Sequence, residues 1–308
     1  MVNPHFLSQL AHVELLSPKP EETVNYLKEV WGLEETTRTG QSVYLRAWGD
    51  YFHHSLKITE AAGPGLGHIG WRADSQGALE NVVQHLERTE LGKGWIDGDL
   101  GHGKAYQFIT PGGHLSEVFW DVEWYQAPEG KESVWKNRPQ KQVRRGIGVR
   151  RLDHVTVLTD NTTVDRLFYQ DLGIRYNEGI YSDFGDEIGA WMSVSNLSHD
   201  IAFINAGFKG GFHHVCFAVE SREELLNAAD TIREHGFEIE SGPGKHAVAE
   251  GLNLYAIEPG GNRIELYAGA HLVFAPDWGP KKWKVSENPN DAWSTFNLFN
   301  PDGSLKYS

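Results

Sequence analysis

The chain has 308 residues, 40% hydrophobic and 23% charged, a length and composition suited to two ordinary soluble domains. Its formal net charge of −14 argues against a general nucleic-acid or anionic-membrane binder, because phosphate recognition needs concentrated Lys and Arg. No apolar run is long enough for a membrane span, the start shows no export signal, and the single Cys216 rules out an intrachain disulfide, so a cytoplasmic location is expected.

In chain order, "LAHVELLSPKPEETVNYLKEVWGLEET" opens with an alternating strand and continues into an amphipathic helix. "LGHIGWRADSQGALENVVQHLER" repeats that plan, and "YQFITPGGHLSEVFWD" closes the first half as strand, turn, strand. The basic, Pro-containing "APEGKESVWKNRPQKQVRRG" reads as a linker. The plan then recurs in "LDHVTVLTDNTTVDRLFYQDLGIRYNE", in "HHVCFAVESREELLNAADTIREHG" and in "LYAIEPGGNRIELYAG". Ser221 followed by Glu224 predicts a capping box, with Gly236 ending that helix. The expected fold class is α+β, with two homologous domains of two βαβββ units each: residues 1–126, a linker at 127–147, residues 148–274, and an irregular aromatic tail at 275–308.

Strand alternation selects the candidate metal ligands. His154, His214 and Glu265 each lie among aliphatic neighbours that belong to the helix-packed side, so all three project to the opposite, concave face. Two His and one carboxylate form a facial triad with open coordination positions, suited to oxygen chemistry at Fe(II). His213 competes with His214, but matching "LGHIGW" to "FHHVCF" aligns His68 with His214. The first half carries a parallel set, His12, His68 and Glu117, so the triad alone does not choose between the halves. "HVE" at His12 to Glu14 imitates another metal motif, and the repeat explains it as alternation.

Neighbouring residues separate the copies. Tyr255 lies on the strand across the turn from Glu265, His246 lies just upstream, and His199 begins another strand of the same half. An offset of 148 places Gln107 opposite Tyr255 and Gly98 opposite His246, while His54 matches His199. The second half thus has a triad with acid/base groups, and chemistry is expected there.

The set Gly244-x-His246, Leu254-Tyr255, Glu258-Pro259-x-Gly261 and Glu265 resembles the signature of the type I extradiol dioxygenases of the vicinal oxygen chelate superfamily, over nearly the whole chain. The resemblance is to catechol 2,3-dioxygenases and 2,3-dihydroxybiphenyl 1,2-dioxygenases. It implies curved half-barrel sheets, a metal-free N-terminal domain, and Fe(II), or alternatively Mn(II), on His154, His214 and Glu265. It further implies a catechol and O2 as substrates, His199 handling the dioxygen-side proton, and Tyr255 and His246 bonding the substrate oxygen. Trp191 takes the place of a pocket aromatic, the tail around "FAPDWGPKKW" covers the pocket mouth, and the protein is a homo-oligomer, a tetramer by analogy. Lys281 and Lys282 are read as a solvated surface pair, which favours an uncharged catechol. A metal lyase or isomerase of the same fold, or a small-molecule binding protein, remains as the alternative.

Overall fold

The computed structural model describes residues 6–142, 145–294 and 299–304. The first half runs β1 (Leu7–Ser17), α1 (Pro20–Tyr26), β2 (Glu34–Thr39), β3 (Ser42–Arg46), β4 (Leu56–Glu60), β5 (Gly65–Ala73), α2 (Gln76–Glu87), β6 (Gly92–Ile96), β7 (Ala105–Ile109) and β8 (Leu115–Phe119). The second repeats it as β9 (Arg151–Thr159), α3 (Thr162–Asp171), β10 (Arg175–Tyr181), β11 (Glu187–Ser193), β12 (Ile201–Asn205), β13 (Gly211–Ala218), α4 (Arg222–Glu234), β14 (Ile239–Lys245), β15 (Leu252–Ile257) and β16 (Arg263–Ala268). Four βαβββ units result, as the repeats predict. The caps follow their chemistry: Asn161, Ser75 and Ser221 each accept a first-turn amide of α3, α2 and α4. At α4 the Glu224 carboxylate returns to the amide of Glu220, one residue ahead of the expected capping-box partner.

Sheet topology decides where the functional side chains meet. The second-half strands order as β14-β15-β16-β13-β9-β12-β11-β10, and the first half orders equivalently. The opening strands of the two units, β9 and β13, lie antiparallel at the centre. Each pairs in parallel with the last strand of its own unit, β12 or β16. Register then places His154 opposite Cys216, and Cys216 opposite Glu265. Val155, Val157, Val215, Phe217, Ile264 and Leu266 point the other way, fully buried in the apolar core.

That core is continuous between the halves. Trp71 packs on Tyr169 at 5.9 Å, Tyr26 on Phe237 at 4.3 Å, and Phe108 on Phe168 at 5.9 Å between ring centres. The two Pro-Gly-Gly turns dock crosswise at its rim. Gly112 donates to Asp165 Oδ1 (2.8 Å) in the second half, and Thr23 of the first half donates to Glu258 Oε2 (2.5 Å) beside Gly260.

The tail departs from the expectation of irregular structure. It contributes β17 (Lys281–Lys284), which pairs in parallel with β10 and makes a nine-stranded sheet. Its Trp283 indole donates to Glu178 Oε2 (2.7 Å), a buried carboxylate that also accepts the amide of Ala249, and this polar anchor fixes the strand. Among the described residues no helix is long and apolar enough to cross a membrane.

Candidate metal centre

His154 on β9, His214 on β13 and Glu265 on β16 converge on the concave face, all of them buried. His154 Nε2 lies 3.2 Å from His214 Nε2, and Glu265 Oε2 lies 3.0 and 2.8 Å from the two nitrogens. Metal ligands at right angles with bonds of about 2.1 Å are separated by about 3 Å, so the donor set fits one face of an octahedral ion. Glu265 Oε1 is buried without a hydrogen-bond partner, an orphaned acceptor that a cation would satisfy. The two imidazoles hold the Glu265 carboxyl well below its usual range, against the opposing effect of burial. Burial lowers the His154 pKa, but hydrogen bonds to Asp153 and Glu265 overcome it and carry the value to about 9. A proton there occupies the electrostatic position of a metal.

Asp153 is a site residue that alternation missed. The β13–β9 register skips it, pairing Cys216 with His154 and then Phe217 with Leu152. This β-bulge lets adjacent side chains serve the same face. Its carboxylate accepts His154 Nδ1–H at 2.8 Å and is itself braced by Arg151 at 2.5 Å. Fixing the proton on Nδ1 leaves Nε2 with a lone pair for a metal. Tyr267, two residues after Glu265, is a second omission: its ring meets His154 edge-on at 5.2 Å. Its period-two spacing from Glu265 was the available signal. His213 stays outside the triad, and its Nδ1 lies 2.6 Å from His214 Nδ1.

The remaining predicted residues surround the triad. The His199 ring lies 3.9 Å from His154, buried, with Nδ1 3.0 Å from the Ser198 hydroxyl. Burial, and then the neighbouring His154, push its pKa well below the usual value, so it is neutral. His246 Nδ1–H donates to the Asn290 carbonyl (2.6 Å), which makes Nε2 the acceptor for the Tyr255 hydroxyl at 2.9 Å. Burial, followed by the charge of Glu265, pushes the Tyr255 phenol well above its usual range. Trp191 packs with Ile180, Ala202 and Val248, its ring 6.5 Å from His199.

Asn290 shows how the tail reaches the site. Pro289 accepts the amides of Ala247 and Val248, and Ala292 donates to Lys245, so this segment grips the loop that carries His246. Phe274 and Trp278, in the stretch expected to cover the pocket, are exposed. Lys281 is not a bare solvated cation: its ammonium sits 3.5 Å from the centre of the Trp278 ring.

His154, His214 and Glu265 could hold a metal ion on one face, beside a neutral imidazole and a hydrogen-bonded Tyr–His pair. The chain resembles known proteins of that kind. A model described as the Glyoxalase/Bleomycin resistance protein/Dioxygenase superfamily matches residues 151–266. A metapyrocatechase of Geobacillus stearothermophilus is 48% identical, over 93% of this chain and 89% of the relative. A manganese-dependent 2,3-dihydroxybiphenyl 1,2-dioxygenase of Geobacillus genomosp. 3 is 36% identical, over 91% of each. Among solved structures, the 2,3-dioxygenase LapB from Pseudomonas sp. KL28 matches with a TM-score of 0.83 and 29% identity, over 92% of this chain and 99% of that one. Homoprotocatechuate 2,3-dioxygenase from Arthrobacter globiformis matches at a TM-score of 0.85 and 23% identity, over 99% and 96%, a likeness of fold.

Proposed function

Because this chain belongs to the metal-dependent extradiol ring-cleaving dioxygenases of the glyoxalase/dioxygenase superfamily, we propose that it cleaves catechol or an alkylcatechol at the 2,3 bond. Both atoms of O2 enter the product, a 2-hydroxymuconate semialdehyde. The observation that carries this reading is the meeting of the buried triad His154, His214 and Glu265 with buried His199 and half-buried His246 and Tyr255. The second half, residues 148–274, is the catalytic domain of this reading, joined through the linker at 127–147 to residues 1–126, with the tail at 275–308 closing on the site.

A divalent ion held by the triad, Fe(II) or alternatively Mn(II), would acidify a chelated catechol and couple its electrons to O2. The chain's own groups handle the protons. Tyr255 can accept a catechol proton on its oxygen while passing its own to His246 Nε2, and the Asn290 carbonyl holds the resulting imidazolium through Nδ1–H. His199, with the Ser198 hydroxyl donating to Nδ1, presents Nε2–H to negative charge developing on the oxygen side. Asp153 keeps His154 in the ligating tautomer. Trp191 supplies an aromatic wall near His199. Lys281 and Lys282 are both turned to aromatic rings, Trp278 and Tyr181, which supports an uncharged catechol over a carboxylated one.

The test is oxygen uptake after anaerobic reconstitution with Fe(II) or Mn(II), over a panel of catechol, alkylcatechols and 2,3-dihydroxybiphenyl. One O2 consumed per catechol, with a yellow ring-opened product, is expected. A folded, metal-loaded protein that consumes no O2 with any of them overturns the reading, and a higher kcat/KM for 2,3-dihydroxybiphenyl reassigns the substrate. The reading includes a cytoplasmic location, supported by the single buried Cys216, and a homo-oligomer. Exposed Phe274, just ahead of the tail, and Trp278 and Trp293 within it support self-association. Light scattering that gives a monomer mass would remove that part.

A further inference from the structure

We propose that the first half holds its own buried divalent metal ion, bound by His12, His68, His102 and Glu117. This goes beyond the catalytic reading and reverses the expectation of a metal-free N-terminal domain. His102 lies in the loop ahead of β7 and has no counterpart in the sequence repeat. It brings a third imidazole nitrogen within 3.5 Å of one Glu117 carboxylate oxygen. Glu117 Oε1 lies 3.5 Å from His12 Nε2, 3.4 Å from His68 Nε2 and 3.1 Å from His102 Nε2, and the first two nitrogens are 2.8 Å apart. All four side chains are between 1% and 7% exposed. The edges of a tetrahedron with metal–ligand bonds of about 2.05 Å are about 3.3 Å, and these separations bracket that value.

Hydrogen bonding on the far sides of the rings carries the argument. His102 Nδ1–H donates to the Gly103 carbonyl (2.9 Å), so in the neutral ring Nε2 bears only a lone pair. That lone pair faces Glu117 Oε1, itself only an acceptor, and both atoms are buried without a hydrogen-bond partner. Two buried acceptors at this distance repel unless a proton or a metal cation lies between them. His68 Nδ1–H is likewise taken by Glu14 Oε2 (2.7 Å), so an ion that displaces the proton shared between His68 Nε2 and His12 Nε2 (2.8 Å) would meet a second inward lone pair. Gln107 Nε2–H donates to the other Glu117 oxygen (3.3 Å) and leaves Oε1 for the centre. One ion would draw the three imidazole nitrogens and Glu117 Oε1 to a single centre.

Rings close around the site. Phe119 stacks on His102 at 4.2 Å, and the His54 ring lies 4.7 Å from His12. Gly70 makes the space for the His12 ring, since a Cβ there would lie 2.2 Å from Cε1. Cys216 occupies the equivalent place in the second half. Four protein donors with no open position are the mark of a structural ion, and three imidazoles with one carboxylate suit Zn(II).

The experiment counts metal in the full chain after chelator stripping and dialysis against Zn(II), by mass spectrometry. Wild type is expected to hold two ions per chain, because the catalytic triad also accepts Zn(II). His214→Ala and Glu117→Gln should each hold one, and the double variant none. One ion in wild type with none in His214→Ala overturns the proposal, as does a Glu117→Gln protein that still holds two. Anomalous diffraction from wild-type crystals at the zinc edge keeps the test independent of variant folding: a peak among His12, His68, His102 and Glu117 is expected, and its absence beside an occupied catalytic site overturns the assignment.

Discussion

The Asp153–His154 pair is where a single side chain outside the metal's reach has the most leverage on the site. Its carboxylate fixes the His154 tautomer, and partners of this kind typically contribute 10- to 100-fold to metal affinity. Asp153→Asn should therefore weaken Fe(II) or Mn(II) binding by about 10- to 100-fold, read by competition against a chelating dye, and unchanged affinity would rule the role out. Tyr255→Phe keeps the ring and removes the proton relay to His246. Its kcat should fall about 100-fold while metal content stays at the wild-type level, and loss of metal instead would show that the phenol only supports the fold. The triad was readable from sequence because a strand sends every second residue to the same face, and Tyr267 was readable by the same rule. Asp153 was not, because the bulge breaks the period at that residue. Asn290 was hidden for another reason: a backbone carbonyl carries no sequence identity.

The two Pro-Gly-Gly turns are similar in sequence because both halves use them for the same contact. In one, Thr110 stands on the turn, and the acid is supplied across the interface by Asp165, which takes the Gly112 amide. In the other, Glu258 stands on the turn, and Thr23 donates to it from across. Hydroxyl and carboxylate have traded sides while the close approach stayed. A Cβ on Gly260 would lie 2.2 Å from Ser17 Oγ and 2.8 Å from Thr23 Oγ1, so Gly260→Ala forces the halves apart locally. It should cost about 1–3 kcal/mol in urea unfolding. Gly63→Ala, with nothing within 4 Å of its added Cβ, should stay within about 0.5 kcal/mol. Equal costs at the two positions would refute the docking role. The four βαβββ units were legible because each repeats a complete pattern of strand, capped helix and strands. β17 was not, since "KKWK" is too short and too charged to announce a strand, and what fixes it is the distant Glu178.

At the scale of the molecule, continuity of the core decides how events at one site are felt elsewhere. Trp31 reaches Phe217 at 6.5 Å, and Trp71 reaches Tyr169, so aromatic packing from the first half rests directly on strand β13, which carries His214. Halves joined only by a linker would melt separately, whereas halves that share apolar surface lose it together. Calorimetry should therefore record one transition. An ion at the triad binds the native state alone, and at about 100 times its Kd adds about 2.7 kcal/mol. With an unfolding entropy of about 2.1 cal/mol/K per residue, that is a rise of about 4 °C in Tm for a chain of 308 residues. Because Glu117→Gln removes the proposed first-half ion, the shift measured in that variant on adding Mn(II) belongs to the proposed second-half site, His154, His214 and Glu265. The whole peak should move in it. Two resolved peaks, of which only one shifts, would mean that the halves unfold independently and that the shared core does not couple them.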